Sequence, residues 1–361
     1  MSESDWSRQV FRLRKLPSHV CSLAEAARLV SSSLNVTTDQ AIIYSLAKTS
    51  NHWEVPPSKV ATLRFRSVPA CLLDHVRDRQ WNIPMPPAAF PPPTGSDVLI
   101  LDTHFEGMTT LNDVDPGQHS ADCIAISGLA SHAFGSWQPR GPDKTFMWIR
   151  DEIPRSVPGM RTLIYGYDSK LVGSSSFQSI SDIALNLIHQ LKSGGWNLDS
   201  SKPIVFLAHS LGGLVLKEAI VQIADRDNSA ACIIDRVCGA IMFGVPSMGM
   251  RQSHLIAMVE GQANELLVED LSRENGSKYL RNLNKRFDGL SFIRRARIFR
   301  AYETVESPTV VVSFWGPGTL KPMARCSFAY TPEATFRWHL GQKWTSDCAG
   351  HSRFSDKPLY H

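Results

Sequence analysis

A serine in the middle of the chain lies where a nucleophile could be exposed. Ser210 follows the apolar run 204–207, which is typical of a buried strand, and precedes residues 214–224, whose apolar spacing predicts a helix. A serine at such a strand-to-helix corner presents its hydroxyl at the sheet edge, and the residues two before and two after it must be small. Ala208 and Gly212 meet this need. We therefore predict a nucleophile elbow at Ser210, with an ordinary turn and a capping serine as the alternative.

Backbone amides near this serine could stabilise an oxyanion. A helix that begins after Ser210 directs its N–H groups and its positive dipole end at the same position, so the N–H of Leu211 is one candidate donor. A second donor would come from the loop after an earlier strand. Residues 127–130 follow the predicted strand 123–126 and could present the N–H of Leu129. A plain glycine turn is the alternative interpretation of that loop.

An acid and then a histidine are expected further along the chain. Glu303 directly follows the predicted strand 297–302, and a carboxylate at the C-terminal end of a late strand can orient an imidazole. Glu303 is therefore the first candidate acid. The weaker candidates are Glu306 and Asp288, and a solvated surface carboxylate is the alternative for each.

The candidate bases are the histidines after the acid. They are His339, His351 and His361. His351 is the best placed of the three. His209, beside the serine, is expected to pack or hydrogen-bond within the elbow, and His132, in the predicted oxyanion loop, is expected to be structural or substrate-facing.

The second part of the chain, residues 97–361, alternates between strands and helices. The predicted strands are 98–102, 123–126, 162–165, 203–207, 237–243 and 297–302, and the predicted helices are 146–152, 180–191 and 214–224. Strands separated by helices imply crossover connections and a mostly parallel sheet that is covered on both faces. The fold class is therefore doubly wound α/β.

The first part, residues 1–83 (the first unit), has a different order of elements from residues 97–361 (the second unit). A strand, a helix, two strands and a second helix at 71–76 predict a small split βαβ domain of ferredoxin-like type. Residues 84–93 hold six prolines, and we place a linker at 84–96. Such sheets can bind RNA through exposed aromatics, but the strand at 61–65 supplies one aromatic, so nucleic acid is not an expected partner. Packing or contact with a protein partner is the role we expect.

Composition narrows the class of protein. With 361 residues, 43% hydrophobic and 20% charged, the chain is globular and is neither disordered nor fibrous. No apolar run approaches the ~18 residues of a membrane helix, and residues 1–8 lack the apolar core of a secretion signal. Seven cysteines without a CxxC pair indicate a reducing, intracellular compartment and argue against a disulfide framework or a zinc site. The net charge of +4 selects no partner.

Basic residues cluster before the last predicted strand. They are Lys285, Arg286, Arg294, Arg295, Arg297 and Arg300. The cluster could attract phosphate headgroups at a membrane surface or nucleic acid. A solvated helix face beside the strand is the alternative.

Several motifs together resemble one fold family. They are residues 126–137 (ISGLASHAFGSW), 165–169 (YGYDS), 207–215 (LAHSLGGLV), 243–250 (FGVPSMGM) and 302–304 (YET). On these motifs the chain resembles the α/β-hydrolases from about residue 11 to residue 308. More narrowly, it is similar to the serine-esterase-like domain of many fungal NACHT and ankyrin-repeat receptor-like proteins. That domain is similar to a family of serine-active-site-containing proteins linked to phosphatidylglycerol remodelling.

The resemblance implies roles for some residues and leaves one role open. By the family pattern Ser210 is the nucleophile and Glu303 the acid. The family histidine stands in an Asp-His-Ser stretch six residues before a phenylalanine, and counting back from Phe354 gives Cys348. A thiol, with an ordinary pKa near 8.5, cannot shuttle a proton as imidazole does, so His351 would have to act as the base. Residues 307–346 also match the family poorly, as a divergent loop or a faulty gene model would.

Two functions follow as hypotheses. In the first, the protein is an intracellular, cytoplasmic serine hydrolase of ester or thioester bonds, with no metal or organic cofactor; lipid or acyl substrates, and a mitochondrial or endoplasmic-reticulum association, are implied by the resemblance alone. In the second, the chain keeps the hydrolase shape as a signalling or interaction module whose first unit contacts protein partners.

Overall fold

A computed structural model of the protein describes residues 9–73, 79–86, 98–139, 144–171, 173–226, 230–250, 259–272 and 278–301. These residues form two β-sheets with helices packed against them. None of the helices among them has the length and apolar character needed to cross a membrane.

The first sheet has five strands in the order β2-β3-β1-β5-β4, and every neighbouring pair is antiparallel. Its elements are β1 (Phe11–Pro17), α1 (Leu23–Leu34), β2 (Ala41–Lys48), β3 (Ser58–Phe65), β4 (Gln80–Pro84) and β5 (Val98–Asp102), with short 3₁₀ turns at Thr38–Gln40 and Ala70–Leu72. Helix α1 begins at a capping box, in which Ser22 Oγ accepts from Glu25 N and the Glu25 carboxylate accepts from Ser22 N. The order β2-β3-β1-β5 is that of a ferredoxin-like split βαβ sheet.

Two details of this unit differ from the sequence analysis. The sequence pattern predicts that residues 98–102 belong to the second unit, but this strand, β5, pairs with both β1 and β4 in the first sheet. The predicted helix at 71–76 is represented by the 3₁₀ turn Ala70–Leu72, and residues 74–78 lie outside the described ranges. The rest of the division into 1–83, 84–96 and 97–361 stays a prediction.

The second sheet has six strands in the order β6-β8-β7-β9-β10-β11. They are β6 (Gly107–Thr110), β7 (Ala121–Ile126), β8 (Met160–Gly166), β9 (Ile204–His209), β10 (Val237–Phe243) and β11 (Arg297–Ala301). All neighbours are parallel except β6, which runs antiparallel to β8 at the edge. The predicted mostly parallel α/β sheet is therefore confirmed, and β6 is an addition to it.

Helices cover this sheet. They are α2 (Trp148–Asp151), α3 (Ile153–Ser156), α4 (Ile180–Ser193), α5 (Leu211–Arg226), α6 (Ala231–Arg236), α7 (Glu265–Asp270) and α8 (Lys278–Asp288), with 3₁₀ turns at Gly135–Trp137 and Ser291–Arg294. Alternate residues of β7 enter different cores: Ile124 and Ile126 pack with α4 and α5, whereas Cys123 and Ala125 pack with the residues around Trp137. Both faces of the sheet are thus buried, as a parallel sheet requires.

The two sheets share a core and several polar contacts. Tyr44 of β2 packs into the same core as Phe134, and the Arg150 guanidinium lies 4.8 Å from the centre of the Tyr44 ring. Arg12 Nη1 donates to Thr109 Oγ1 at 2.9 Å, which links β1 to β6. The first unit therefore packs on one face of the second.

A buried lysine joins the helix after β9 to two other elements. Lys217 of α5 is 2% exposed, and its Nζ donates to Ser247 Oγ and to Asn284 Oδ1, each at 2.7 Å. Burial, with repulsion from Arg300 as a second cause, lowers the pKa of Lys217 from 10.5 to about 8, while Asp288 opposes the change. The lysine ties α5 to α8 and to the loop after β10.

We expect the stability contributed by Lys217 to depend on pH in the alkaline range. Between pH 8 and 10.5 the unfolded chain binds a proton at this lysine that the folded chain has lost, so the free energy of unfolding rises with pH. Relative to Lys217→Met, the wild type should gain up to roughly 3 kcal/mol between pH 8 and pH 10.5. Urea unfolding of both proteins at pH 7 and pH 10 measures this, and Lys278→Met, at an exposed lysine of α8, should show no such difference. A constant difference between wild type and Lys217→Met at both pH values would contradict the prediction.

Candidate active site

The predicted nucleophile lies at a sharp turn between a strand and a helix. Ser210 stands between the last residue of β9 and the first residue of α5, and its φ is 51°, in the left-handed region that a side chain rarely occupies. Its N–H donates to Phe243 O of β10 at 2.8 Å, and its carbonyl accepts from Gly213 N at 3.0 Å. The strained backbone is therefore held from both sides, as in a nucleophile elbow.

The small residues around Ser210 are required by close approach. A Cβ added to Gly212 would lie 2.4 Å from Ser127 O and 2.6 Å from Ile126 O. Those oxygens are backbone atoms at the end of β7 and in the loop that follows it, so they cannot rotate away. Ala208 is fully buried in the core beneath the turn. The first turn of α5 thus lies directly against the backbone of the β7 loop.

Replacing Gly212 by alanine should separate these two segments. Because a displacement of ~1 Å costs on the order of 100-fold in rate, we expect covalent labelling of Ser210 to slow by about that factor, with a loss of ~1–3 kcal/mol in stability. Gly117→Ala is the matched control, since a Cβ there meets no atom within 4 Å. Labelling kinetics and thermal unfolding of both variants check this. Equal labelling rates in the two variants would show that the close approach at Gly212 does not position the serine.

The loop after β7, which the sequence predicts to be the oxyanion loop, lies against Ser210. A Cβ on Gly128 would be 2.8 Å from Ser210 Cβ, so the loop is in contact with the side chain of Ser210. Leu129, the next residue, is buried, and Leu211 is fully buried on the other side of the turn. Within the described part of the chain, no acceptor is assigned to the backbone N–H of either leucine. The structure therefore brings Leu129 and Leu211 to the same side of the fold as the serine.

Hydrogen bonds that the sequence analysis did not predict hold this loop. Tyr167 Oη donates to Ser127 O at 2.8 Å, and Ser131 Oγ donates to Gly128 O at 2.6 Å. Ser169 Oγ donates to Ser131 O at 2.8 Å. Tyr167 and Ser169 belong to the motif 165–169, which supports the family resemblance but to which the sequence analysis gives no function. Two hydroxyl side chains two residues apart are the signal that could have indicated a role in holding the loop.

The two histidines near the serine have different environments. His132 is structural: its Nε2 donates to Thr103 O at 2.8 Å, and its Nδ1 accepts from Phe134 N and Gly135 N. Burial lowers the pKa of His132, which keeps the ring neutral. His209 is half-buried beside the same loop, and its Nδ1 would be 3.0 Å from a Cβ on Gly128. This position agrees with the expectation that His209 packs or hydrogen-bonds within the elbow.

The predicted acid and base lie outside the described residues. These are Glu303, Glu306, His339, Cys348, His351 and His361. The strand that precedes Glu303 is described up to Ala301, whose carbonyl accepts from Gly244 N directly after β10. The described end of β11 therefore lies beside the end of β10, on the same sheet edge as Ser210. The weaker acid candidate Asp288 forms an exposed ion pair with Arg300 at 3.0 Å.

Carboxylates partly neutralise the basic cluster. Arg295 pairs with Asp235 at 2.9 Å, and Arg286 pairs with Asp225. With the Arg300 pair, at least three of the six basic residues thus face an acidic partner. The arrangement favours a solvated, paired surface over a free basic patch.

The strand order and the serine turn define the class of fold. A parallel sheet with one antiparallel edge strand, in the order β6-β8-β7-β9-β10-β11, carries a serine elbow after β9. This is an α/β-hydrolase fold. The α/β-hydrolase fold predicted from the sequence is confirmed, and the unit before it has the ferredoxin-like strand order β2-β3-β1-β5.

Known proteins resemble parts of the chain. No protein-family model matches it. Protein SERAC1 of Danio rerio is 25% identical over 212 residues, covering 53% of this chain and 31% of that protein, and SERAC1 of Homo sapiens is 24% identical over 149 residues, covering 36% and 22%. The chain thus spans less than a third of the length of these relatives.

Solved structures also align with about half of the chain. Lipase BlEst2 of Bacillus licheniformis aligns with a TM-score of 0.37 and 14% identity, over 54% of this chain and 70% of that one. Phospholipase PlaB of Legionella pneumophila aligns with a TM-score of 0.36 and 13% identity, over 51% and 37%.

Proposed function

We propose that the chain is a serine hydrolase that cleaves ester or thioester bonds. The observation that carries the proposal is the backbone of Ser210, which is held at φ 51° between β9 and α5 with the Gly128 loop against its side chain. A strained conformation of this kind costs ~1–3 kcal/mol and persists where the surrounding structure enforces it. In this proposal the strained turn directs the Ser210 hydroxyl toward the backbone N–H groups of Leu129 and Leu211.

The proposed reaction is acyl transfer through the serine. Ser210 Oγ attacks the carbonyl carbon, His351 accepts the hydroxyl proton, and Glu303 orients the imidazole. The N–H groups of Leu211 and Leu129 stabilise the oxyanion. His351 returns the proton to the departing alcohol or thiol. A water molecule then attacks the acyl-enzyme carbonyl while His351 accepts a proton from the water. His351 passes this proton to Ser210 Oγ as the carboxylic acid leaves.

Lipid or acyl esters are the substrates that we propose. This class rests on the sequence resemblance to the phosphatidylglycerol-remodelling family. The proposed intracellular location rests instead on the seven cysteines without a CxxC pair, and a peripheral contact with a membrane surface rests on the basic residues before β11. The first unit offers further surface for a protein partner.

A second candidate function is a hydrolase-fold interaction module with impaired catalysis, as in the fungal receptor-like proteins that the sequence resembles. The observation that favours it is Cys348, which stands where the family pattern expects the histidine. Without an imidazole in reach of the serine, proton transfer would be slow while the fold and the elbow stayed intact.

A fluorophosphonate probe distinguishes the two functions, because it reacts covalently with activated serines. We expect the 361-residue chain to be labelled, with the adduct on the peptide that contains Ser210, and to hydrolyse p-nitrophenyl butyrate. Absence of both labelling and hydrolysis in folded protein would favour the interaction module. Labelling at another residue would contradict the assignment of the nucleophile.

A further inference from the structure

The oxyanion loop is tied to the first sheet by one side chain. His132 Nε2 donates to the carbonyl of Thr103, which directly follows β5. On the other side of the ring, Nδ1 accepts from the backbone N–H groups of Phe134 and Gly135 at 3.2 and 3.1 Å. The ring therefore spans from the loop to the end of a strand in the other sheet.

The point of attachment is itself rigid. Asp102, the last residue of β5, is fully buried and accepts from Arg12 Nε at 3.0 Å and from Arg14 Nε at 2.9 Å, both from β1. Its other carboxylate oxygen accepts from Phe105 N at 3.0 Å. The Phe105 ring meets the His132 ring edge to face, with 5.1 Å between the ring centres. The segment 102–105 is thus fixed to the first sheet before it reaches His132.

The loop between His132 and the serine has little freedom of its own. Ala130 has a φ of 52°, and its N–H donates to Ser169 O at 2.7 Å. Ser131 Oγ donates to Gly128 O, so residues 128–131 form a tight turn. Movement of His132 would therefore be transmitted to Leu129, which lies inside that turn.

We propose that His132 is a positioning residue that fixes the Leu129 amide by tying the oxyanion loop to Thr103, so that the first sheet is part of the hydrolase site. The inference rests on the proposed function and deepens it. It assigns the first unit a role in catalysis in addition to any contact with a partner.

Replacing His132 by asparagine removes the hydrogen bond to Thr103 O while keeping the bonds within the loop, so it tests this link alone. Asparagine Oδ1 takes the position of His Nδ1 and still accepts from Phe134 N and Gly135 N, but its side chain is too short to reach Thr103 O. We expect kcat for p-nitrophenyl butyrate to fall at least tenfold with an unchanged KM, less than the ~10²–10³-fold lost when an oxyanion donor is removed outright. The Ki of a trifluoromethyl ketone, which binds as a tetrahedral oxyanion, should rise by the same factor.

The control is Thr109→Val, which removes the hydrogen bond of Arg12 to β6 and thus weakens the same junction without touching the loop. It should leave kcat, KM and Ki within twofold of wild type. Equal loss of kcat in both variants, or no change of kcat and Ki in His132→Asn, would overturn the inference while the proposed function stood.

Hydrogen exchange gives a readout that does not depend on activity. Amides of residues 128–137 should exchange at least tenfold faster in His132→Asn than in wild type, and no faster in Thr109→Val. Unchanged exchange in His132→Asn would refute the tie. If the wild type neither hydrolyses esters nor reacts with the fluorophosphonate, the proposed function fails, and faster exchange would still support the structural tie.

Discussion

Replacing Ser210 by alanine should abolish fluorophosphonate labelling and lower ester hydrolysis by on the order of 10⁴- to 10⁶-fold, because loss of a nucleophile removes the covalent pathway. The fold should persist, since the turn is held by the backbone N–H and carbonyl of residue 210, and alanine keeps both. Labelling by mass spectrometry and the rate with p-nitrophenyl butyrate measure the effect. Retained labelling in Ser210→Ala would assign the nucleophile to another residue.

Replacing Ser210 by glycine separates catalysis from strain. Glycine adopts a φ of 51° without steric cost, whereas alanine is as strained there as serine. We expect Ser210→Gly to be as inactive as Ser210→Ala but more stable by about 1 kcal/mol. Chemical unfolding of the two variants tests this. If the glycine variant were the less stable one, the turn would not store strain, and the structural argument for the elbow would lose its support.

The fold can be predicted from the sequence where residues close together in the chain determine the structure. The elbow at Ser210 is encoded within about ten residues by an apolar strand, small neighbours and an amphipathic helix, and the structure has a strand and a helix on either side of it. The sheet edges were less predictable. The four residues of β6 are short for a strand, and the apolar run of β5 is compatible with either sheet. Pairing with β1, which is distant in the chain, and with β4, the preceding strand, places β5 in the first sheet.

The candidate site likewise has parts that the local sequence predicts and parts that depend on tertiary contacts. Leu129 and Leu211 follow from their places next to predicted strand and helix ends, so sequence reasoning reaches them. The link between His132 and Thr103 joins residues 29 apart in the chain through a carbonyl oxygen, and no spacing rule indicates it. The pairing of Asp288 with Arg300 is likewise a tertiary contact. Glu303 and His351 remain predictions, since they lie beyond the described residues.

The base is the remaining test of the triad. If His351 takes the proton of Ser210, His351→Ala should slow ester hydrolysis and fluorophosphonate labelling by ~10²–10⁴-fold, the usual contribution of a general base. His361→Ala, at another of the three late histidines, is the matched control and should not change the rate.

Cys348→His distinguishes a relocated base from a lost one. If His351 serves as the base, placing a second imidazole at the family position should leave the rate within a few-fold of wild type. If the chain has instead lost its base, His351→Ala has no effect and Cys348→His raises the labelling rate by ~10²-fold or more, because it restores a general base in the expected order after Ser210 and Glu303. The second outcome would identify the wild-type chain as the impaired hydrolase-fold module, in which the elbow at Ser210 is formed but no general base accepts the proton of the serine.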